Sequence, residues 1–139
     1  MSKKDIKISV LDLVPLSPGL SVRDAFSISL ALAQHTESIG YNRFWLGELH
    51  LPDAATSATS ILICYLAENT KSLRLGAGGV MLSNHSHLII AEQFGTLISL
   101  YPERIDLGLG RSPGADPEVQ IALRRNLKDT SVCISVTVN

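Results

Sequence analysis

Four short runs of apolar and β-branched residues recur along this chain, at positions 6–14, 43–48, 73–82 and 104–110, each parted from the next by a stretch of helical character. This alternation constrains the fold more than any other feature, because parallel strands cannot be joined by tight turns and need long, usually helical, crossovers. The first run stops at Pro15, and Pro18 and Gly19 continue as a loop. Ser21 with Asp24 three residues later is a capping-box pattern. Val22, Phe26, Leu30 and Ala33 then share one face of a helix running through Ser38, and Gly40 stands where a helix C-cap belongs. Residues 59–70 read as a second helix, apolar nearly all round, and residues 87–101 as a third, ended by Pro102.

Strand, helix, strand, helix, strand, helix, strand is the order of an α/β fold with a parallel sheet. An open doubly wound sheet and a (β/α)8 barrel both satisfy it. The strand faces discriminate. In the fourth run Ile105, Leu107 and Leu109 share one face, while Arg104, Asp106, Gly108 and Gly110 share the other. In the third, Arg74, Gly76 and Gly78 oppose Leu73, Leu75 and Ala77. An apolar face suits packing under helices; a face of charge and glycine suits a barrel interior. The expected fold class is therefore α/β, a partial (β/α)8 TIM barrel of about four β/α units, or half a barrel. An unpaired buried charge is costly, so Arg74 and Asp106 are expected to meet across neighbouring strands.

A barrel's active site lies at the C-terminal ends of its strands. Glu48, His50, Gly78, Gly79 and residues 110–112 all fall at such ends. The second run, Arg43-Phe44-Trp45-Leu46-Gly47-Glu48-Leu49-His50, delivers a carboxylate and an imidazole directly after an apolar stretch. Asn84, His85, Ser86 and His87 precede the third helix. A His-x-His pair with no carboxylate or cysteine beside it is a weak metal site, so Ser86 or Asn84 is expected to cap the helix and no metal is assigned.

Composition excludes several classes of function. The 139 residues are 45% hydrophobic and 18% charged with a formal net charge of −1, which gives no electrostatic case for nucleic acid or an anionic membrane. Two cysteines, Cys64 and Cys133, make no disulfide framework and point to a reducing, cytoplasmic setting. Asp5, Lys7 and Asp12 interrupt the opening segment, which reads as a strand rather than a signal peptide, and no apolar run reaches the roughly 18 residues of a membrane span.

The segments "RFWLGELH", "LRLGAGGVMLSNHSHLIIAEQFGTL" and "YPERIDLGLGRSPGADP" together resemble the bacterial luciferase-like flavin-dependent monooxygenases, in the order and spacing of that family's amino-terminal half. The resemblance runs from about residue 6 to residue 126, and residues 127–139 form a divergent, β-prone tail. It implies a (β/α)8 barrel, reduced FMN supplied by a separate flavin reductase, and oxygen insertion into a small organic substrate. Some relatives use a deazaflavin instead, the less favoured cofactor here. Carried over residue by residue, it assigns His50 and Glu48 to the catalytic region and Gly78, Gly79, Val80 and Arg111 to flavin binding. The family's two adjacent histidines appear here as Leu49 and His50, so the first position cannot carry a proton. Glu48 is expected to hold a loop by hydrogen bonding. Gly78 to Val80 match a stretch where relatives carry a strained, often cis, peptide under the flavin, and Arg111 matches an arginine that holds the flavin phosphate.

A (β/α)8 barrel takes about 250 residues and seldom fewer than 200. At 139 residues, the chain is expected to leave open sheet edges and uncovered apolar faces and to exist as a homo-oligomer. Three classes of function follow: a flavin-dependent oxidoreductase, a truncated non-catalytic flavin-binding or structural remnant, and a small open-sheet binding module.

Overall fold

The structure, a computed structural model, describes residues 6–112, 115–123 and 136–138. Its elements run β1 (Ser9–Asp12), α1 (Val22–Ser38), β2 (Arg43–Leu46), α2 (Thr59–Glu68), β3 (Arg74–Met81), a 3-10 turn (Leu82–Asn84), α3 (His87–Leu100), β4 (Ile105–Gly110), α4 (Pro117–Ala122) and β5 (Val136–Val138). The sheet order is β1-β2-β3-β4-β5, with the first three junctions parallel and β4–β5 antiparallel. Each parallel strand thus lies beside its predecessor. A doubly wound sheet instead reverses its order at a switch point with the first strand inside. Sequential order is what a (β/α)8 barrel requires, so the barrel reading of the α/β pattern holds for these four units.

Local chemistry explains the boundaries. Ser21 and Asp24 form the expected capping box, and Gly40 adopts φ +82 after α1, a left-handed conformation that costs glycine little. At α3, Ser86 occupies the N-cap position without a side-chain bond, so position alone agrees with the expected cap. The first strand is shorter than the apolar run suggests. The Val14 amide bonds to Asp12 Oδ1 at 2.8 Å and Val14 takes φ 47, which turns the chain out of the ladder. Helix α4 and the tail strand β5 carry no periodic signal in the sequence. The antiparallel β5 covers the edge of β4, which corrects the expectation of two open edges; β1 has no outer neighbour among the described residues.

The outward faces build the core. Phe44, Leu46, Leu75, Ala77 and Ile105 are buried beneath Leu62, Ile63, Leu66 and Ala67 of α2 and Ile90, Phe94 and Leu97 of α3. Asp12 also points outward and is buried, where it accepts a hydrogen bond from Ser29 of α1 at 2.7 Å. Arg104 departs from simple alternation. It precedes β4, follows Glu103 at φ 62, and reaches back to the carbonyls of Ala67, Thr70 and Leu73 and the Thr70 hydroxyl. The strand period begins only at Ile105, so Arg104 caps α2 instead of sharing the inner face with Asp106. Basic donors at a helix C-terminus satisfy its last carbonyls and complement its dipole.

On the inner face the expected pairing of Arg74 with Asp106 is present and has a third member. Asp106, 1% exposed, accepts from Arg74 Nε at 3.0 Å and from Arg43 Nε at 2.8 Å, and a second Arg74 nitrogen bonds its other oxygen. One carboxylate therefore ties β2, β3 and β4 together. Burial pushes the Asp106 carboxyl up, but the hydrogen bonds from Arg74 and Arg43 outweigh it and hold the group below the usual carboxylate range. Glu37 behaves alike at the end of α1. Burial opposes ionisation, and the amides of Ser72, Leu73 and Lys71 outweigh burial.

Asp106→Ala strands two arginines at the sheet base and is expected to destabilise the chain by about 3 kcal/mol, the lower end for a broken buried pair because both guanidinium groups touch solvent. Chemical unfolding at neutral pH measures it, and an unchanged midpoint would refute the clamp. Because both carboxyls are depressed in the folded state, their contribution is full above the ordinary carboxylate range, about pH 4, and is lost as pH falls through the folded-state values. Asp106→Asn should accordingly flatten the acid limb of a stability–pH curve, and an identical acid limb would count against that assignment.

Candidate active site

The inner face changes character along the strands. At the base are Arg43 and Arg74; one register layer higher Trp45 lies opposite Gly76, and Gly76 opposite Asp106, whose carboxylate reaches back to both arginines. A Cβ built on Gly76 would come within 2.7 Å of Trp45 Cζ3 and of the Asp106 carbonyl oxygen, so only glycine admits this packing. Above it Gly78 is exposed and Gly79 half-buried, joined by a cis peptide bond. The ladder with β4 slips there, between Ala77 and Val80. The Val80 side chain turns into the core at 1% exposure, so it offers only backbone to the inner face.

At the C-terminal ends of the strands Glu48 gathers four hydrogen-bond partners. It is 1% exposed. Its Oε1 lies 2.8 Å from His50 Nε2 and 2.8 Å from His85 Nε2 and accepts from Asn84 Nδ2 at 3.3 Å, while Oε2 accepts the Met81 amide at 2.8 Å. The carboxylate thereby stitches the segment after β2 to the end of β3 and the turn beyond it. His85 escaped sequence reasoning as a site residue. Its "NHSH" context was read as a helix start, and no local spacing links position 85 to position 48.

Glu48, His50 and His85 have the donor set of a metal site, with ligand atoms within 4.8 Å of one another. The distances favour direct hydrogen bonding. Two ligands about 2.0–2.1 Å from one tetrahedral ion sit roughly 3.3 Å apart, whereas both histidine nitrogens lie 2.8 Å from the same oxygen.

His50 and Leu49 line a cavity of about 410 Å³ with Leu51, Pro52, Ala54 and Val119, which Asp116 and Glu118 also border. A backbone bridge between His50 and Ala115 closes that side. Arg111 directly follows β4 and is half-buried; its carbonyl accepts from Ser83 at 3.4 Å. The strands thus bring His50, Glu48, Gly78, Gly79 and Arg111 to one end of the sheet, with a cavity beside His50. No helix among the described residues is long and apolar enough to cross a membrane.

Comparison with known proteins agrees with this geometry. The luciferase-like monooxygenase family matches residues 6–130. The chain is 59% identical over 128 residues to a luciferase-like monooxygenase of Escherichia coli K12, covering 91% of this chain and 38% of that protein. The crystal structure of apo-MsnO8 superposes with a TM-score of 0.81 at 42% identity, over 86% of this chain and 36% of that one. The oxygenating constituent of 3,6-diketocamphane monooxygenase from Pseudomonas putida, solved with FMN, shares the fold at a TM-score of 0.75 and 21% identity, over 89% of this chain and 34% of that one. The chain thus spans little more than a third of the length of such relatives. With the sheet order, the inner face and residues 6–130 all in agreement, this chain belongs to the luciferase-like monooxygenase family.

Proposed function

We propose that this chain builds the flavin-facing wall of a monooxygenase that uses reduced FMN, delivered by a separate flavin reductase, and oxygen to oxidise a small organic substrate. The observation that carries the reading is the strip at Gly78 and Gly79. No side chain rises from it, it opens on the inner face at the strand ends, and Trp45 flanks it. Such a strip fits a flat ring, because backbone without Cβ atoms lets a planar group approach closely. Bound there, reduced FMN would supply the electrons for oxygen chemistry.

The other roles belong to the chain's own residues. The Arg111 guanidinium, at the end of β4, binds the flavin phosphate, for which its planar fork of donors is suited. Glu48 positions His50, and His50 holds and releases the proton, since Leu49 cannot. The apolar lining of Leu49, Leu51 and Val119 excludes water beside it. A second copy packs on α2 and α3, a reading supported by Ile61, Leu88, Ile89 and Ile98, which are exposed on those helices. The setting is the cytoplasm, where a reductase has its electron supply.

Titration of the 139-residue chain with FMN and, separately, with riboflavin tests the proposal. Saturable quenching of flavin fluorescence is expected for both ligands. Arg111→Ala should weaken FMN by about 1.5–3 kcal/mol, the value of a hydrogen bond to a charged group, and leave riboflavin unchanged. Gly78→Val should weaken both ligands by tenfold or more, about 1.4 kcal/mol. Quenching that never saturates, or equal loss of FMN and riboflavin in Arg111→Ala, would overturn the assignment.

A further inference from the structure

Two imidazoles share one carboxylate oxygen at the strand ends, and this has a consequence for where a proton can sit. The Met81 amide and Asn84 donate to Glu48 and both imidazoles lie within hydrogen-bond distance of Oε1, and an ionised carboxylate can only accept. A 2.8 Å contact from a ring nitrogen to a carboxylate oxygen is a hydrogen bond when that nitrogen carries the N–H. His50 and His85 therefore both carry hydrogen on Nε2. In the neutral ring that leaves Nδ1 as the basic atom. The same arrangement makes the two rings compete. Each shares the negative charge of Oε1 with the other, and protonating both would place two cations on one carboxylate.

We propose that His85 is a positioning residue for His50: Glu48 Oε1 holds His50 in the Nε2–H form with Nδ1 as the proton-exchanging atom, and His85, by sharing that oxygen, limits how tightly the proton is kept. This rests on the reading of His50 as the proton-holding group of a monooxygenase site and names the atom and the partner that control it. Among the described residues, the titratable groups that share a contact or the cavity with His50 are Glu48 from its own segment, His85 from the turn after β3, and Asp116 and Glu118, which border the same cavity beside α4. Of these described groups, His85 and His50 contact the same carboxylate oxygen. Removing His85 gives His50 the whole of the Glu48 charge, which favours the imidazolium and raises the His50 midpoint. Removing the charge at position 48 acts in the opposite direction.

Proton–nitrogen NMR on histidine-labelled protein, followed from about pH 5 to 8, reads both tautomer and midpoint without flavin. Loss of flavin binding would therefore sink the functional reading while leaving this one standing, and the converse holds. His50 is expected as the Nε2–H tautomer in the unmodified chain. His85→Phe should raise the His50 midpoint by about one unit, at the low end for a neighbouring opposite charge. His85→Gln, which restores an N–H donor at a similar reach, should return it most of the way, and Glu48→Gln should lower it. Circular dichroism of each variant establishes that the fold is retained, and should His85→Phe not fold, His85→Gln and Glu48→Gln carry the comparison. An Nδ1–H tautomer in the unmodified chain, or a midpoint unmoved in folded His85→Phe, overturns the proposal. So does stoichiometric zinc binding that shifts both ring signals, since the three side chains would then be an ion cage.

Discussion

A carboxylate buried on the inner side of a parallel sheet must be paired or it destabilises the fold, and Asp106 meets that constraint by joining three strands at once. Arg43 approaches from β2 and Arg74 from β3, while Asp106 itself belongs to β4. This sets the register of the strands as well as their cohesion. A slip of one residue would turn Asp106 into the apolar layer under α2 and α3 and bring Leu107 inward, exchanging a satisfied charge for a stranded one. The outward core, by contrast, is a layer of Leu, Ile, Phe and Ala packing that tolerates local adjustment.

Above that clamp the inner face loses its charge and then its side chains. Gly76 lets Trp45 lie flat against the sheet, and Gly78 and Gly79 leave bare backbone at the end where loops converge. Polar groups return at the strand ends, held by Glu48. Order along one face is therefore ion cluster, aromatic, bare backbone, hydrogen-bonded imidazoles. Two buried carboxylates, Asp106 and Glu48, thus do related structural work at opposite ends of the same strands. The first fastens the strands and the second fastens the loops that follow them.

Much of this was legible in the residues. The strand–helix alternation, the capping box at Ser21 and Asp24, and the glycine–charge face of β3 and β4 follow from periodicity and local chemistry, which depend on nearby positions alone. The pairing of Arg74 with Asp106 was legible because both lie on the same face of sequential strands. Arg43, the third member, is not legible in that way, because it lies on β2 and reaches across β3 to Asp106 on β4. Alternation misplaces Arg104, because it holds only from Ile105, where the strand begins.

The sequence by itself determined the class of fold, the faces of its strands and the family to which it belongs, because those rest on periods and motifs written in consecutive residues. Tertiary structure decided what no local pattern could. It set the antiparallel strand on the edge of β4 and turned the Val80 side chain into the core. It also brought His85, thirty-seven positions away in the chain, onto the same oxygen of Glu48 as His50. The physical reason is that a hydrogen bond between distant residues depends on the strand register and on the path of the turn after β3, and these exist only once the strands have paired around their buried charge.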